Sequence, residues 1–237
     1  MSKRRVLITG ASEGIGRAVA DRLAADGHEP IGLARTAPTD FPGRFHEVDL
    51  GDRAATAATL DEIVAAGKVD AVVNNVGLAR FGRIGSIDLN ELAIAYDMNA
   101  RTAVQVVQAV LPGMLEAGWG RIVNVSSLTT LGVAERTPYA GSKAALEADT
   151  RIWAGELASS GITVNAVAPG PIETGMYRAL SPVGSEREAR VLDVIPLHRV
   201  GTPMEIAHVI CMLLHEDAGY ITGQIVRVDG GGSIPAA

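Results

Sequence analysis

A chain of 237 residues that is 47% hydrophobic, 20% charged and only 4% aromatic has the aliphatic content for one large core. Its formal net charge of -6 and sequence pI near 5.4 argue against a surface built for nucleic acid or anionic lipid. A lone cysteine, Cys211, excludes an intrachain disulfide and a multi-thiolate metal site, and suits a reducing compartment.

The first apolar run, Val6-Leu7-Ile8, is too short for a signal peptide and is cut by Gly10, and no stretch approaches the roughly 20 uncharged residues of a membrane helix. A soluble, cytoplasmic protein without a membrane partner is expected. Arg5 to Ile8 reads as a strand, and Gly16 to Ala25 as a helix with Ala18, Val19 and Leu23 at helical spacing. Strands are predicted at Pro30 to Ala34, Phe45 to Val48 and Val69 to Asn74, with a helix from Arg53 to Ala65. The short, proline-containing stretch from Thr36 to Arg44 leaves no room for a helix between the second and third strands. One long helical pattern covers Leu89 to Glu116, with a bend or break expected before Pro112.

A strand at Arg121 to Val125, a helix at Pro138 to Ala158 and a strand at Ile162 to Val167 follow. The pattern closes with a helix at Met204 to Leu214 and a strand at Gln224 to Val228. Such alternation predicts a Rossmann-like α/β fold, a doubly wound parallel sheet of about seven strands with helices on both faces. No repeat or linker divides it, so residues 1–237 are expected to form a single domain. The proline-rich excursion at 170–196, with a helix around Glu186 to Val194, follows a strand end and is expected to serve as a substrate lid. Met176, Tyr177 and Leu180 would give that lid an apolar wall.

The turn after the first strand contains Gly10, Ser12, Glu13, Gly14, Ile15 and Gly16. Glycines there allow a tight turn and close approach of the backbone to a pyrophosphate, which the following helix N-terminus favours. At the end of the second strand stand Arg35 and Thr36 rather than a carboxylate. A carboxylate at that place would bind the ribose 2′-OH of NAD, whereas an arginine accommodates the 2′-phosphate of NADP. NADP(H) is therefore the preferred cofactor, with NAD(H) kept open because Glu13 places a negative charge near the same phosphate.

Tyr139 and Lys143 lie four residues apart, one helical turn, on a common face. With four tyrosines and only three lysines in the chain, about 0.05 such pairs are expected by chance. A nearby cation would lower the phenol pKa from its usual value near 10 and fit Tyr139 for general acid/base work. Ser127, at a strand end, has the hydroxyl to hold a substrate oxygen beside it. His28, His46, His198, His208 and His215 are scattered without metal-ligand spacing, so no metal site is expected.

Together the Thr9 to Gly16 turn, Asn74-Asn75-Val76-Gly77, Asn99, Ser127, Tyr139 with Lys143, and Pro169-Gly170-Pro171-Ile172 resemble the single-domain branch of the short-chain dehydrogenase/reductase family over essentially the whole chain. The resemblance implies hydride transfer between a nicotinamide cofactor and a small-molecule carbonyl or alcohol, and usually a homotetramer. It implies that Asn99 positions a water in a proton relay, that Lys143 holds the nicotinamide ribose, and that Ser127 and Tyr139 polarise the carbonyl. Asn75, Asp49 and Leu50 would contact the adenosine side, and Gly77, Pro169, Gly170, Ile172 and Thr174 complete the implied cofactor set. The helices at Leu89 to Glu116 and Pro138 to Ala158 would pair across a dimer interface.

Some positions depart from the family pattern. Ser127 lies twelve residues before Tyr139 where thirteen is common; Ser126 would restore the count but is expected to point away. Val76 replaces an alanine. The C-terminal third is most similar to bacterial 3-oxoacyl carrier-protein reductases, yet the positions of their docking arginines fall at Gly118 and Ser160 here, leaving Arg121 and Arg151 as candidate substitutes. A general carbonyl reductase or an NAD-dependent alcohol dehydrogenase thus stands beside the thioester reductase. The reading from another class is a dinucleotide-sensing or scaffold protein that has lost turnover.

Overall fold

The computed structural model describes residues 3–234. Seven strands, β1 (Arg5–Thr9), β2 (Glu29–Ala34), β3 (Arg44–Glu47), β4 (Ala71–Asn74), β5 (Gly120–Val125), β6 (Ile162–Pro169) and β7 (Ile225–Val228), form one sheet in the order β3-β2-β1-β4-β5-β6-β7. Every pairing is parallel. Parallel strands need crossovers, and helices supply most of them: α1 (Gly14–Ala25), α2 (Arg53–Ala65), α3 (Leu89–Tyr96), α4 (Thr102–Ala117), α5 (Thr137–Leu157), α6 (Gly175–Leu180), α7 (Glu186–Asp193) and α8 (Pro203–Leu214). No described helix is long and apolar enough to cross a membrane.

Alternation along each strand divides the core in two. Val6 and Ile8 face α1 and α8, packing with Val19, Leu23, Ile206 and Ile210. Leu7 points the other way, among Leu60, Ile63, Val106, Val110, Met114 and Leu157 beneath α2, α4 and α5. Both faces are buried, which is why the strands read as continuous aliphatic runs. The strand order reverses between β1 and β4, and the crevice opens there at the carboxyl ends of the strands.

The β2–β3 connection has no helix, as the short spacing predicted. Instead Phe41 packs edge-on against Phe45 with ring centroids 4.9 Å apart. Gly32 makes room for them, since a Cβ there would lie 2.6 Å from the Phe45 ring. Arg17 of α1 pins this connection through Asp40 at 2.7 Å.

The expectation for Leu89 to Glu116 needs correction. Pro112 lies inside α4 without breaking it, and buried Val110 and Met114 on either side hold the helix against the sheet. The irregularity sits earlier, in a π-helical turn at Asp97–Arg101 between α3 and α4.

Candidate active site

A cavity of about 1130 Å3 opens at the β1/β4 crevice. It is lined by the β1–α1 turn, the ends of β2, β4, β5 and β6, and the 170–196 segment. Ligand pockets commonly run from roughly 300 to 1000 Å3, so this volume suits a dinucleotide together with a second molecule.

The turn is shaped to approach an anion. Gly10 and Gly14 adopt φ +66° and +56°, in the left-handed region. Helix α1 starts at an extended Glu13 whose side chain makes no capping bond, so the first N–H groups of α1 remain available to a ligand. Beneath the turn, the Thr9 hydroxyl accepts from the backbone N–H of Asn75 and of Val76, both at 3.0 Å. The Asn75 amide donates to the carbonyls of Thr9 and Gly10, each at 3.0 Å. Asn75 lines the cavity but spends its side chain bracing the turn; Thr9, unassigned from the sequence, is its partner in that work.

Ser12, Glu13, Ile15, Arg35, Thr36, Asp49, Leu50 and Gly77 also line the cavity. Gly16 lies just behind it. Arg35 is exposed and has no ion pair among the described residues, and the Glu13 carboxylate lies beside Gly175, 3.7 to 3.8 Å from where a Cβ would stand. On the far side Pro169, Gly170, Ile172 and Thr174 form the wall. Thr174 caps α6 by accepting from the Tyr177 N–H at 3.2 Å, and its methyl group abuts Gly14.

Ser127 follows β5 and caps a short 3₁₀ turn, accepting from the Thr129 N–H at 3.2 Å and the Thr129 hydroxyl at 2.9 Å. With its lone pairs so occupied, the Ser127 O–H proton is left to donate toward the cavity. Ser126 is turned into the protein and donates to Glu147 Oε1 at 2.7 Å. Ser126 also lines the cavity, but its hydroxyl is committed to Glu147, which leaves Ser127 to serve a bound molecule. Glu147, one turn beyond Lys143, is the partner that holds Ser126 away.

Burial pushes the Tyr139 phenol above its ordinary pKa; the neighbouring Ser127 hydroxyl and the positive charge of Arg136 act in the opposite direction. This corrects the expectation that Lys143 lowers the phenol pKa. Lys143 is 2% exposed, its ammonium donates to the Val125 carbonyl at 2.8 Å, and burial lowers its own pKa to about 8. The cation whose charge acts on the phenol is Arg136, three residues before Tyr139 and outside the set expected from the sequence.

Asn99 sits in the π-helical turn, where the widened backbone turns its side chain inward. Its Oδ1 accepts from the Leu78 N–H at 2.6 Å, and its Nδ2 donates to the Leu78 carbonyl at 3.1 Å and the Ser142 hydroxyl at 2.8 Å. A Cβ on Gly77 would stand 3.3 Å from Lys143 Nζ and 3.7 Å from Asn99 Oδ1, so Gly77 keeps one small space open between them.

The buried ammonium has a measurable consequence. Lys143 titrates near 8 in the folded chain and near 10.5 when free, so below pH 8 its burial opposes folding by roughly 3 kcal/mol. As pH rises from about 8 to 10.5, the unfolded chain holds the extra proton and this cost disappears. The stability of the wild type relative to Lys143→Met should therefore rise across that window, read from urea midpoints. A flat difference would show that the amine titrates normally.

Arg121 is not available for docking: it is 3% exposed, donates to the carbonyls of Gly120, Gly161, His215 and Glu216, and stacks on Trp119. Arg151 is exposed on α5, with its guanidinium turned to the Glu147 carbonyl. Among the described residues no three His, Cys, Asp or Glu side chains form a group able to hold a metal ion.

Comparison with known proteins bears on the family and the fold. The family described as enoyl-(acyl carrier protein) reductase matches residues 10–233. The chain is 37% identical over 235 residues to the 3-oxoacyl-[acyl-carrier-protein] reductase FabG of Escherichia coli, covering 95% of each, and 40% identical over 238 residues to that of Pseudomonas aeruginosa, again covering 95% of each. Among solved structures, ElxO with NADP bound superposes with a TM-score of 0.90 at 28% identity, over 98% of this chain and 99% of that one.

Proposed function

The chain belongs to the short-chain dehydrogenase/reductase family and is an oxidoreductase, and from that premise we propose that it uses NADP(H) to reduce a small-molecule ketone to a secondary alcohol. The observation that carries the reading is the convergence of Ser127, Tyr139 and Lys143 at the inner end of a cavity, with buried Asn99 behind them across Gly77, while the outer end is a glycine turn and an Arg35 without an ion pair among the described residues. The residues present fit a dinucleotide. The turn offers free N–H groups to the pyrophosphate, Arg35 a guanidinium to the 2′-phosphate, and Asp49 and Leu50 line the adenosine end.

When bound, the nicotinamide supplies or accepts the hydride. Ser127 donates a hydrogen bond to the carbonyl oxygen, and Tyr139 gives that oxygen its phenolic proton in reduction, taking it back in oxidation. A phenol held neutral by burial suits the acid role. Lys143 hydrogen-bonds the ribose from its place against the Val125 carbonyl. Asn99, clamped by Leu78 and Ser142, orders the water through which Tyr139 is reprotonated. Exposed Leu89, Leu115 and Ile152 on α3, α4 and α5 support self-association through these helices.

Two further observations choose among related readings. Glu13 lies by Gly175, and no ion pair joins it to Arg35, so the guanidinium stays available for a phosphate. Neutral Gly118 and Ser160, with Arg121 buried, favour a free ketone over a carrier-bound thioester. The test is a fluorescence titration with NADPH and NADH. Arg35→Ala should weaken NADPH by about tenfold or more while changing NADH by less than about twofold, the scale of one charge-assisted contact. Equal weakening of both would remove Arg35 from phosphate recognition.

A further inference from the structure

Of the arginines lining the cavity, Arg80 is ion-paired with Glu91 and Arg35 lies at the cofactor end. Two remain, Arg136 and Arg187, and neither has a carboxylate partner among the described residues. Glu135, next to Arg136 in the chain, makes no ion pair with it. Burial and then the positive charge of Arg187 act against the half-buried Arg136 cation, and the charge of Glu135 offsets this only in part. Arg136 also stands at the N-cap of α5, where the helix dipole disfavours a cation. Three unfavourable circumstances meet at one side chain.

The arginine is nonetheless firmly placed. A bridge joins Gly82 to Arg136, with the Gly82 N–H donating to the Glu135 carbonyl at 3.0 Å. The Arg136 carbonyl accepts from the Ala140 N–H at 2.7 Å, and its guanidinium lies 3.7 Å from the centre of the Phe81 ring. Phe81 in turn meets Tyr139 edge-on, with centroids 6.3 Å apart. This stack sets a cation beside the proton donor, and its field reaches the phenol. Arg187 approaches from α7, across a wall of Leu180, Val191, Val194 and Ile195.

We propose that the substrate is amphiphilic, an apolar ketone carrying an anionic group that Arg136 and Arg187 hold within the cavity. The proposal rests on the ketone-reductase reading above and names its substrate class. Its anion replaces the missing carboxylate partner, and the apolar wall takes the body. Reduction is then balanced as before, with the hydride from NADPH going to the carbonyl carbon and the Tyr139 proton to its oxygen, while the anion stays unchanged. A carboxylate on a free ketone and the phosphate of a pantetheine arm share this chemistry.

The test compares methyl ketones bearing a terminal carboxylate, over a lengthening methylene chain, with their methyl esters, and a 3-oxoacyl phosphopantetheine thioester with its dephosphorylated form. The wild type should favour the anionic member of one pair by about tenfold or more in kcat/KM, the scale of a charge-assisted hydrogen bond. In Arg136→Leu that ratio should fall to within about twofold, and Arg136→Lys should restore part of it. Preference within the first pair identifies a free acid, and within the second a carrier arm. Equal rates within both pairs overturn the proposal and leave the reductase standing. If no ketone is reduced, calorimetric titration of the NADPH-loaded protein with acid and ester decides, since tighter binding of the acid, lost in Arg136→Leu, supports it and equal binding overturns it.

Discussion

Tyr139→Phe should lower kcat/KM for ketone reduction by about a thousandfold while NADPH affinity stays within about twofold, because it deletes only the acid/base hydroxyl. The ring is kept, and with it the edge-on packing against Phe81. The Ser127 hydroxyl keeps its contacts with Thr129, so the local backbone has little reason to move. Steady-state rates beside a cofactor fluorescence titration separate chemistry from binding. Activity near that of the wild type would remove Tyr139 from the proton transfer and with it the proposed mechanism.

Gly16→Ala is the second large effect, and it acts on shape. A Cβ at Gly16 would stand 2.3 Å from the Gly10 carbonyl oxygen and 2.7 Å from the Asn75 amide. Both neighbours are committed: the Gly10 carbonyl accepts from that same amide, and Gly10 itself holds a left-handed φ. The added methyl can be accommodated only by moving α1 away from β1 or by opening the turn. Overpacking of this kind costs about 1–3 kcal/mol, and the displaced N–H groups should weaken NADPH by about tenfold or more. Thermal unfolding and the same titration read both losses. A variant that unfolds early yet binds NADPH as tightly as the wild type would show that the turn does not hold the pyrophosphate.

Much of the architecture was legible because parallel strands buried on both faces leave a one-dimensional signature. Val6-Leu7-Ile8, Val72-Val73 and Ile122-Val123 are recognisable without knowing what covers them. The absent helix between β2 and β3 was equally legible, because nine residues with Pro38 and Pro42 are too few to cross the sheet as a helix and return. Ser126 and Ser127 both reach the cavity wall, and only their hydrogen bonds, to Glu147 and to Thr129, tell them apart.

What the sequence hid was mostly the consequence of burial. The spacing of Tyr139 and Lys143 suggests a phenol acidified by an ammonium, but it contains no information on the Val125 carbonyl that receives the amine, or on the desolvation that raises one group and lowers the other. Arg121 looked like a surface cation because arginines usually are, and only the meeting of β5, β6 and the end of α8 shows it spent on four carbonyls. Arg136 is hidden for a similar reason. Its partner is the face of an aromatic ring more than fifty residues earlier.

The π-helical turn between α3 and α4 works as a phase shifter. One surplus residue in a rod turning 3.6 residues per turn rotates everything downstream by about 100° relative to an uninterrupted helix. The two halves of what looks like one helix thereby serve two different surfaces: α3 leans on α5, and α4 lies on the sheet beside α2. A single hydrophobic stripe cannot do both. A chain relieved of that residue would gain a regular helix and lose the alignment of one half or the other, with Asn99 at the joint.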